Sequence, residues 1–136
     1  MRRFLCLSVF LSAFLLGAAC TIYHEALERG RAADLHARED ILKIDLEVMR
    51  SAIKQYISDT GALPQSLGEL VKTGHLHEIN GATVLHDVPR DPFTGQRDWR
   101  LVMGSYKSKT GLSTGVVDVH SNSTKQSSNG TRYSDW

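Results

Sequence analysis

Histidine, serine and acidic residues are the candidates for chemistry in this chain of 136 residues, and their spacing limits what they could do. His75, His77 and His86 could be grouped as zinc ligands, but no cysteine lies near them and the spacing is not that of a zinc motif. No serine, histidine and acid surround a nucleophile motif, and the chain has neither a glycine-rich phosphate loop nor paired carboxylates at a turn. The sequence therefore predicts no catalytic residues, no cofactor-binding or metal-binding residues, and no enzyme activity.

Asp45 is the acidic residue whose position most needs an explanation. Apolar residues recur around it at helical spacing, namely Leu42, Leu46, Met49, Ile53 and Tyr56, flanked by Ile41, Ile44, Val48 and Ala52. Asp45 falls in the middle of this apolar arc, and an unpaired buried carboxylate is costly. We therefore expect Asp45 to pair with a cation of its own domain, either Arg97 or Arg100, or to lie at a contact between subunits.

The residues that surround Asp45 belong to a longer helix, predicted over 23–59, which no proline interrupts. Its upstream part, 25–40, has charges on all sides. Acidic residues precede basic residues by four positions, a spacing that stabilises a helix by about 0.2–0.5 kcal/mol per pair, at Glu25/Arg29, Asp34/Arg38 and Glu39/Lys43. This charged part is either a solvated stalk or a surface that pairs with neighbouring copies of the chain.

After the long helix, the sequence predicts a short helix and a fixed turn. Ser66 and Glu69 match a capping box that begins a helix over 66–73. Further on, Pro92 suits the second position of a turn within 91–95.

The last third of the chain has strand and loop signals. The β-rich runs 99–103 and 115–120 predict a hairpin with a long connection over 104–113. Residues 121–131 are almost wholly polar and have little to bury, so we expect this loop to be either mobile or held by an ion.

These elements predict an α+β fold, in which a long N-terminal helix packs on a small antiparallel sheet with a short second helix between. We expect a hydrophobic N-terminal segment, residues 1–22, followed by one domain, residues 23–136. That domain would contain a spine helix over 23–59, a short helix over 66–73 and a β-region over 84–136. A net charge of +1 and the lack of a basic run with aromatic residues argue against a nucleic-acid partner.

The N-terminal segment predicts export of the rest of the chain from the cytoplasm. Residues 4–22 carry no charge and follow Arg2 and Arg3, and this length just spans a hydrocarbon core with the arginines on the cytoplasmic side. The basic start, the apolar run and the small residues near position 18 also fit a cleaved secretory signal. Cys20 adds a third alternative, lipidation after cleavage. All three alternatives export the residues that follow.

Several motifs in order carry a resemblance to a known family. They are MRSAIKQY at 49–56, DTG at 59–61, PQSL at 64–67, DPFTG at 91–95 and YSDW at 133–136. Together with the basic-then-apolar start and the charged helix, they resemble a type IV pilin-like protein. More closely, the chain is similar to the major pseudopilin of the type II secretion system, the general secretion pathway protein G family.

The resemblance covers roughly residues 23–136 and implies a structural role. It implies a subunit of the type II secretion pseudopilus, a short periplasmic filament involved in protein export across the outer membrane. The implied partners are further copies of the chain, other pseudopilins, the inner-membrane secretion assembly platform and the membrane, with no small-molecule substrate. The implied location is the bacterial inner membrane, crossed once, with the C-terminal domain in the periplasm; a lipoprotein is the alternative.

The chain departs from the family pattern at two places. Prepilins of the family have a glycine before the cleavage point and a glutamate at the fifth mature position, and the segment around Phe4 has neither. This departure favours an alternative, a membrane-anchored or lipidated periplasmic pilin-like module that does not polymerise. The family also binds calcium in its last loop. The matching remnant here is Asp118, Ser121 and Asn129, with fewer carboxylates than calcium prefers, so calcium binding would be weakened or lost.

Overall fold

Helix and sheet are arranged along the chain in the predicted order. A computed structural model describes residues 2–77, 84–109 and 111–136, with side chains from Tyr23 onward. The elements are helix α1 (Arg2–Thr60), helix α2 (Leu67–Lys72), strands β1 (Arg100–Ser108) and β2 (Gly111–His120), and a 3-10 turn (Tyr133–Asp135). The predicted α+β class and the long helix are therefore confirmed. The chain forms two compact units, Met1–His36 and Ala37–Trp136.

In the first unit, nearly all the described residues of α1 are exposed, and charged residues recur among them. All residues over 23–34 are exposed. The predicted pair of Arg29 with Glu25 is present at 3.3 Å. Among the side chains that the structure describes, no helix is long and apolar enough to cross a membrane. The predicted hydrophobic segment 4–22, including Cys20, lies outside those side chains.

In the second unit, α1 carries the core on one side. All five residues of its predicted apolar stripe are buried, namely Leu42, Leu46, Met49, Ile53 and Tyr56. They pack with residues of α2, β2 and the C-terminal segment, including Leu67, Leu70, Val116, Val119 and Tyr133. The buried stripe is narrower than predicted, because Ile41 and Ile44 are 50% and 48% exposed. These two isoleucines lie beside Asp45 on the helix surface.

Helix α2 is fixed to α1 by Glu69 rather than by the predicted capping box. Ser66 is the N-cap, but its side chain makes no capping hydrogen bond. The Glu69 carboxylate accepts a hydrogen bond from the backbone N–H of Gln65 at 2.7 Å and another from the Tyr56 hydroxyl at 2.7 Å. Because Tyr56 lies on α1, this carboxylate joins the two helices while it satisfies a free N–H before α2.

Strands β1 and β2 form an antiparallel hairpin that is longer than predicted, with only residues 109 and 110 between them. The prediction of a long connection over 104–113 was wrong, because residues 104–108 pair with residues 111–115 and Gly104 marks a close approach between the strands rather than a loop. A Cβ on Gly104 would lie 2.7 Å from Val117 Cγ1, and one on Gly115 would lie 2.5 Å from the Pro64 carbonyl oxygen. The missing side chain at Gly115 lets the hairpin lie against the α1–α2 connection, where Val116 N–H donates to the Pro64 carbonyl at 2.8 Å.

Candidate functional site

Glu39 fastens the C-terminal loop to helix α1. Its side chain is buried, with 3% exposure. One carboxylate oxygen accepts hydrogen bonds from the Ser128 N–H at 2.6 Å and the Tyr133 hydroxyl at 2.9 Å, and the other accepts from the Ser128 hydroxyl at 2.7 Å. Three donors around one buried carboxylate offset much of the cost of removing its charge from water. The interpretation of Glu39 as part of an exposed charge pair was therefore wrong.

Tyr133 contributes aromatic packing as well as its hydrogen bond to Glu39. Its ring is fully buried and stacks on the Phe93 ring, with 3.7 Å between centroids. Trp136 packs edge-on against the other side, at 5.2 Å. Burial, together with the hydrogen bond to the Glu39 carboxylate and the charge of that group, raises the pKa of Tyr133 to about 12. The hydroxyl therefore remains a hydrogen-bond donor throughout the physiological pH range.

A second buried carboxylate, Asp91, holds the beginning of the same loop. Asp91 accepts hydrogen bonds from the Ser121 hydroxyl at 2.5 Å and from the Phe93 N–H at 2.7 Å, the second of which belongs to the predicted turn. Ser121 in turn accepts from the Ser123 N–H at 3.0 Å. The expectation that the loop has little to bury was wrong, because Ser121, Ser123 and Ser127 are all buried. Neutral donors of the loop therefore hydrogen-bond to two carboxylates outside it, Glu39 and Asp91.

Arg50 connects α1 with the end of β2 and with Trp136. Its guanidinium donates to the Asp118 carboxylate at 2.7 Å, to the Val119 carbonyl at 2.9 Å and to the Trp136 carbonyl at 2.8 Å. Partial burial alone would raise the pKa of Asp118, but hydrogen bonds from Arg50 and from the Val119 N–H outweigh it, so the pKa is lowered. Asp118 is therefore an ionised partner of Arg50.

The structure does not bring the three candidate calcium residues together as one ligand set. Asp118 faces Arg50, and Ser121 faces Asp91. The Asn129 side-chain oxygen accepts from the Ser127 hydroxyl at 2.5 Å and from the Thr131 hydroxyl at 2.7 Å. Within the described part of the chain, no group of three or more histidine, cysteine, aspartate or glutamate side chains is placed to hold a metal ion. The calcium that the resemblance implies therefore does not fit these residues.

Asp45 lacks the intradomain cation that the sequence predicted. Arg97 pairs with Asp87 at 2.7 Å and donates to the Val88 carbonyl, while Arg100 donates to the Ser134 carbonyl. Over residues 23–77, 84–109 and 111–136, no hydrogen bond or ion pair reaches the Asp45 carboxylate. Partial burial and, secondarily, the negative charge of Asp91 raise the pKa of Asp45 to about 6. The prediction of Arg97 or Arg100 as its partner was therefore wrong.

The surroundings of Asp45 form a predominantly apolar groove between α1 and the segment that precedes β1. Its volume is about 620 Å³. We call it the Asp45 groove, and its lining residues are Ile44, Asp45, Val48, Leu85, Asp87, Val88, Pro89, Arg90 and Arg97. Both arginines of the lining already have acceptors. Arg90 donates to the Gly95 carbonyl, and Arg97 donates to the Val88 carbonyl. Within the described residues, no ion pair reaches this half-buried carboxylate beside an open apolar wall, so the groove is suited to bind an external group of positive charge.

Sequence reasoning missed the residues that hold the C-terminal loop. For Glu39 a signal existed, because it precedes Leu42, Leu46 and Met49 at the same spacing of three or four residues. For Asp91 and Arg50 no local signal existed, since their partners lie 30 and 68 residues further along the chain. Comparison of the chain with known protein families, with curated proteins and with solved structures finds no match. The site is therefore interpreted from its own geometry.

Proposed function

We propose that this chain is a structural subunit of a type II secretion pseudopilus, a pilin-like filament involved in protein export across the outer membrane. The observation that carries the proposal is the uninterrupted helix α1, which bears the core of the second unit on its C-terminal part. In a subunit of this kind, the N-terminal segment lies in the membrane or in the filament. The C-terminal domain packs against neighbouring subunits. The proposal also draws on the order of the motifs between residues 49 and 136.

The arrangement of the described polar groups suits packing rather than catalysis. The buried carboxylates Glu39 and Asp91 are both occupied by donors of the same domain. Arg50 is likewise engaged by three acceptors. Because these groups are satisfied within the domain, their arrangement supports a structural role, in which the exposed surface contacts other subunits.

An alternative function, a membrane-anchored or lipidated module that does not polymerise, is favoured by one sequence observation. No carboxylate precedes Glu25, so the chain lacks the glutamate that, in the resembled family, offsets the terminal amine of a neighbouring subunit in an apolar medium. A filament subunit without this carboxylate would enter filaments as a minority component. The lipidated form would begin at Cys20.

The test is to express the full chain in a bacterial envelope in which the other components of the secretion machinery are overproduced. The cells are sheared, and the filament and membrane fractions are compared. We expect the chain in the filament fraction, as a minority of its subunits. If the chain stays wholly in membranes, and intact mass shows a lipid on Cys20, the non-polymerising module is the correct function. Abundant filaments of this chain alone would instead contradict the minority role.

A further inference from the structure

We propose that the Asp45 groove receives the tip of the β1–β2 hairpin from a second copy of this chain, and that Lys107 or Lys109 of that tip pairs with the Asp45 carboxylate. This inference rests on the proposed function and deepens it by naming the two surfaces that meet between copies. The occupant of the groove is a second copy because the same chain carries both complementary surfaces.

The groove supplies an acid inside an apolar wall. Among the described residues no ion pair reaches its carboxylate, and the nearby charge of Asp91 is also negative. The two arginines of the lining are directed elsewhere, since Arg97 pairs with Asp87 and Arg90 donates to the Gly95 carbonyl. The wall continues onto the exposed surface of α1, where Ile41 and Ile44 are each about half exposed. An occupant that removes this surface from water and adds one positive charge would therefore satisfy both features of the groove.

The hairpin tip supplies the matching chemistry. Leu112 is 72% exposed and Tyr106 is 39% exposed. Lys107, which pairs with Leu112 across the hairpin, and Lys109 are both exposed. No hydrogen bond or ion pair of either lysine side chain is present among the described residues. The tip thus presents apolar side chains next to uncommitted positive charge, which complements the groove.

The tip of one copy cannot reach the groove of the same copy. Ser113, next to Leu112, accepts a hydrogen bond from the Leu63 N–H at 3.1 Å, which places the tip side of the hairpin beyond the C-terminal end of α1. Asp45 lies fifteen residues before Thr60, the last residue of that helix. At a rise of 1.5 Å per residue, the two surfaces are separated by about 22 Å along the helix axis. The contact must therefore form between copies.

A contact between two different surfaces of identical chains has a consequence for assembly. Each copy would offer its tip to one neighbour and its groove to another. Such a heterologous contact repeats and produces a ring or an open helical array. This geometry is compatible with a filament and distinguishes the inference from a closed symmetric dimer.

The test uses two full-length copies with different epitope tags, expressed together in the envelope. One copy carries Ile44→Cys in the groove and the other carries Leu112→Cys at the tip, both positions being exposed. We expect an oxidised product that carries both tags. A matched control replaces Leu112→Cys by Lys125→Cys, an exposed position outside the tip. Copies with unchanged sequence control for products of the native Cys6 and Cys20.

Charge variants then test the ion pair. Asp45→Asn in one copy, or Lys107→Glu with Lys109→Glu in the other, should lower the yield of the two-tag product by about three- to tenfold, the factor expected for the loss of about one partly buried ion pair. Asp45→Lys combined with the two lysine-to-glutamate changes should restore part of the yield, whereas Lys125→Glu should leave it unchanged. Resistance of each variant to proteolysis in the same membranes verifies that it is folded.

Three results would overturn the inference. The first is a yield with Lys125→Cys equal to the yield with Leu112→Cys. The second is a yield that the charge variants do not change. The third is the absence of a two-tag product in cells whose filaments contain the chain. Failure of the proposed function would look different, because the chain would then be absent from the sheared filaments whether or not the two copies cross-link in the membrane.

Discussion

Glu39 and Asp45 lie six residues apart on the same helix, and their carboxylates have opposite environments. Glu39 is more deeply buried, yet three donors from the C-terminal loop surround it. Asp45 is only partly buried, yet no donor reaches it within the described residues, and its pKa is raised to about 6. Depth of burial alone therefore does not decide which carboxyl group has a destabilised ionised form.

The difference shows how the two sides of α1 are used. On the Glu39 side, the loop's neutral hydroxyl and amide groups satisfy a buried charge, so the domain is complete there without an ion. On the Asp45 side, an apolar groove remains open and, within the described residues, no ion pair reaches the carboxylate. The polar groups of the first side are satisfied within the domain, and the second is the side that we propose contacts another copy.

The largest effect is expected from the packed side of α1. Met49→Ala should lower the free energy of unfolding by about 2–4 kcal/mol, because Met49 is fully buried in the core and its truncation leaves a cavity. Ile44→Ala on the groove side is the matched control, with an expected loss below about 0.5 kcal/mol. Urea unfolding of the full-length chain, followed by tryptophan fluorescence, measures both. Equal losses would mean that the two sides of α1 are not packed differently.

Glu39→Gln should be the next largest change. The amide oxygen can still accept from the Ser128 N–H and the Tyr133 hydroxyl, while its N–H₂ faces the Ser128 hydroxyl. Because the negative charge is removed, all these hydrogen bonds become weaker neutral ones, and we expect a loss of about 1–3 kcal/mol. Glu47→Gln, an exposed carboxylate eight residues further along α1, is the control and should change stability by less than about 0.5 kcal/mol. If Glu39→Gln were as stable as the parent chain, the loop would not depend on this carboxylate.

A smaller, pH-dependent effect is expected at Asp45. Its pKa is about 6 in the folded chain and 3.8 is the ordinary value, so ionisation opposes folding. The favourable contribution of neutral Asp45 is fully present below about pH 4 and is lost as the pH rises through about 6. The facing groups are the carboxylates Asp87 and Asp91 and the guanidinium groups of Arg90 and Arg97.

Asp45→Asn isolates this contribution, because the facing groups are the same in both chains. At pH 8 the variant should be more stable than the parent by less than about 1 kcal/mol, since the group is partly screened by solvent. The difference should shrink as the pH falls to about 4. Urea unfolding of both chains at several pH values measures it. A difference that does not change with pH would show that Asp45 ionises normally.

The smallest effect should come from calcium. Asp118 is committed to Arg50, and the loop is fastened by Glu39 and Asp91. We therefore expect millimolar calcium, or its removal with a chelator, to leave the midpoint of thermal unfolding unchanged for the parent chain. A rise of several degrees on calcium addition would show that the loop rearranges to bind the ion. The Glu39 side would then also depend on an external group, as we propose for the Asp45 side.

The sequence by itself determined the elements that depend on local periodicity. The long helix, its buried stripe and the turn at Asp91 could all be predicted, because helical spacing and turn chemistry involve residues close together in the chain. The α+β class followed from the order of these elements. The length of the hairpin did not follow, since Gly104 looks like a loop residue until its neighbour Val117 on the other strand is known.

Only the tertiary structure decided the state of each charged group. Glu39, Arg50 and Asp91 meet partners 89, 68 and 30 residues away, and no local pattern encodes such distances. The same is true of Asp45, for which two plausible arginines turned out to have other acceptors. The free energy of a carboxylate depends on the donors within about 3 Å and on the water removed around it, and both are set by how distant segments pack.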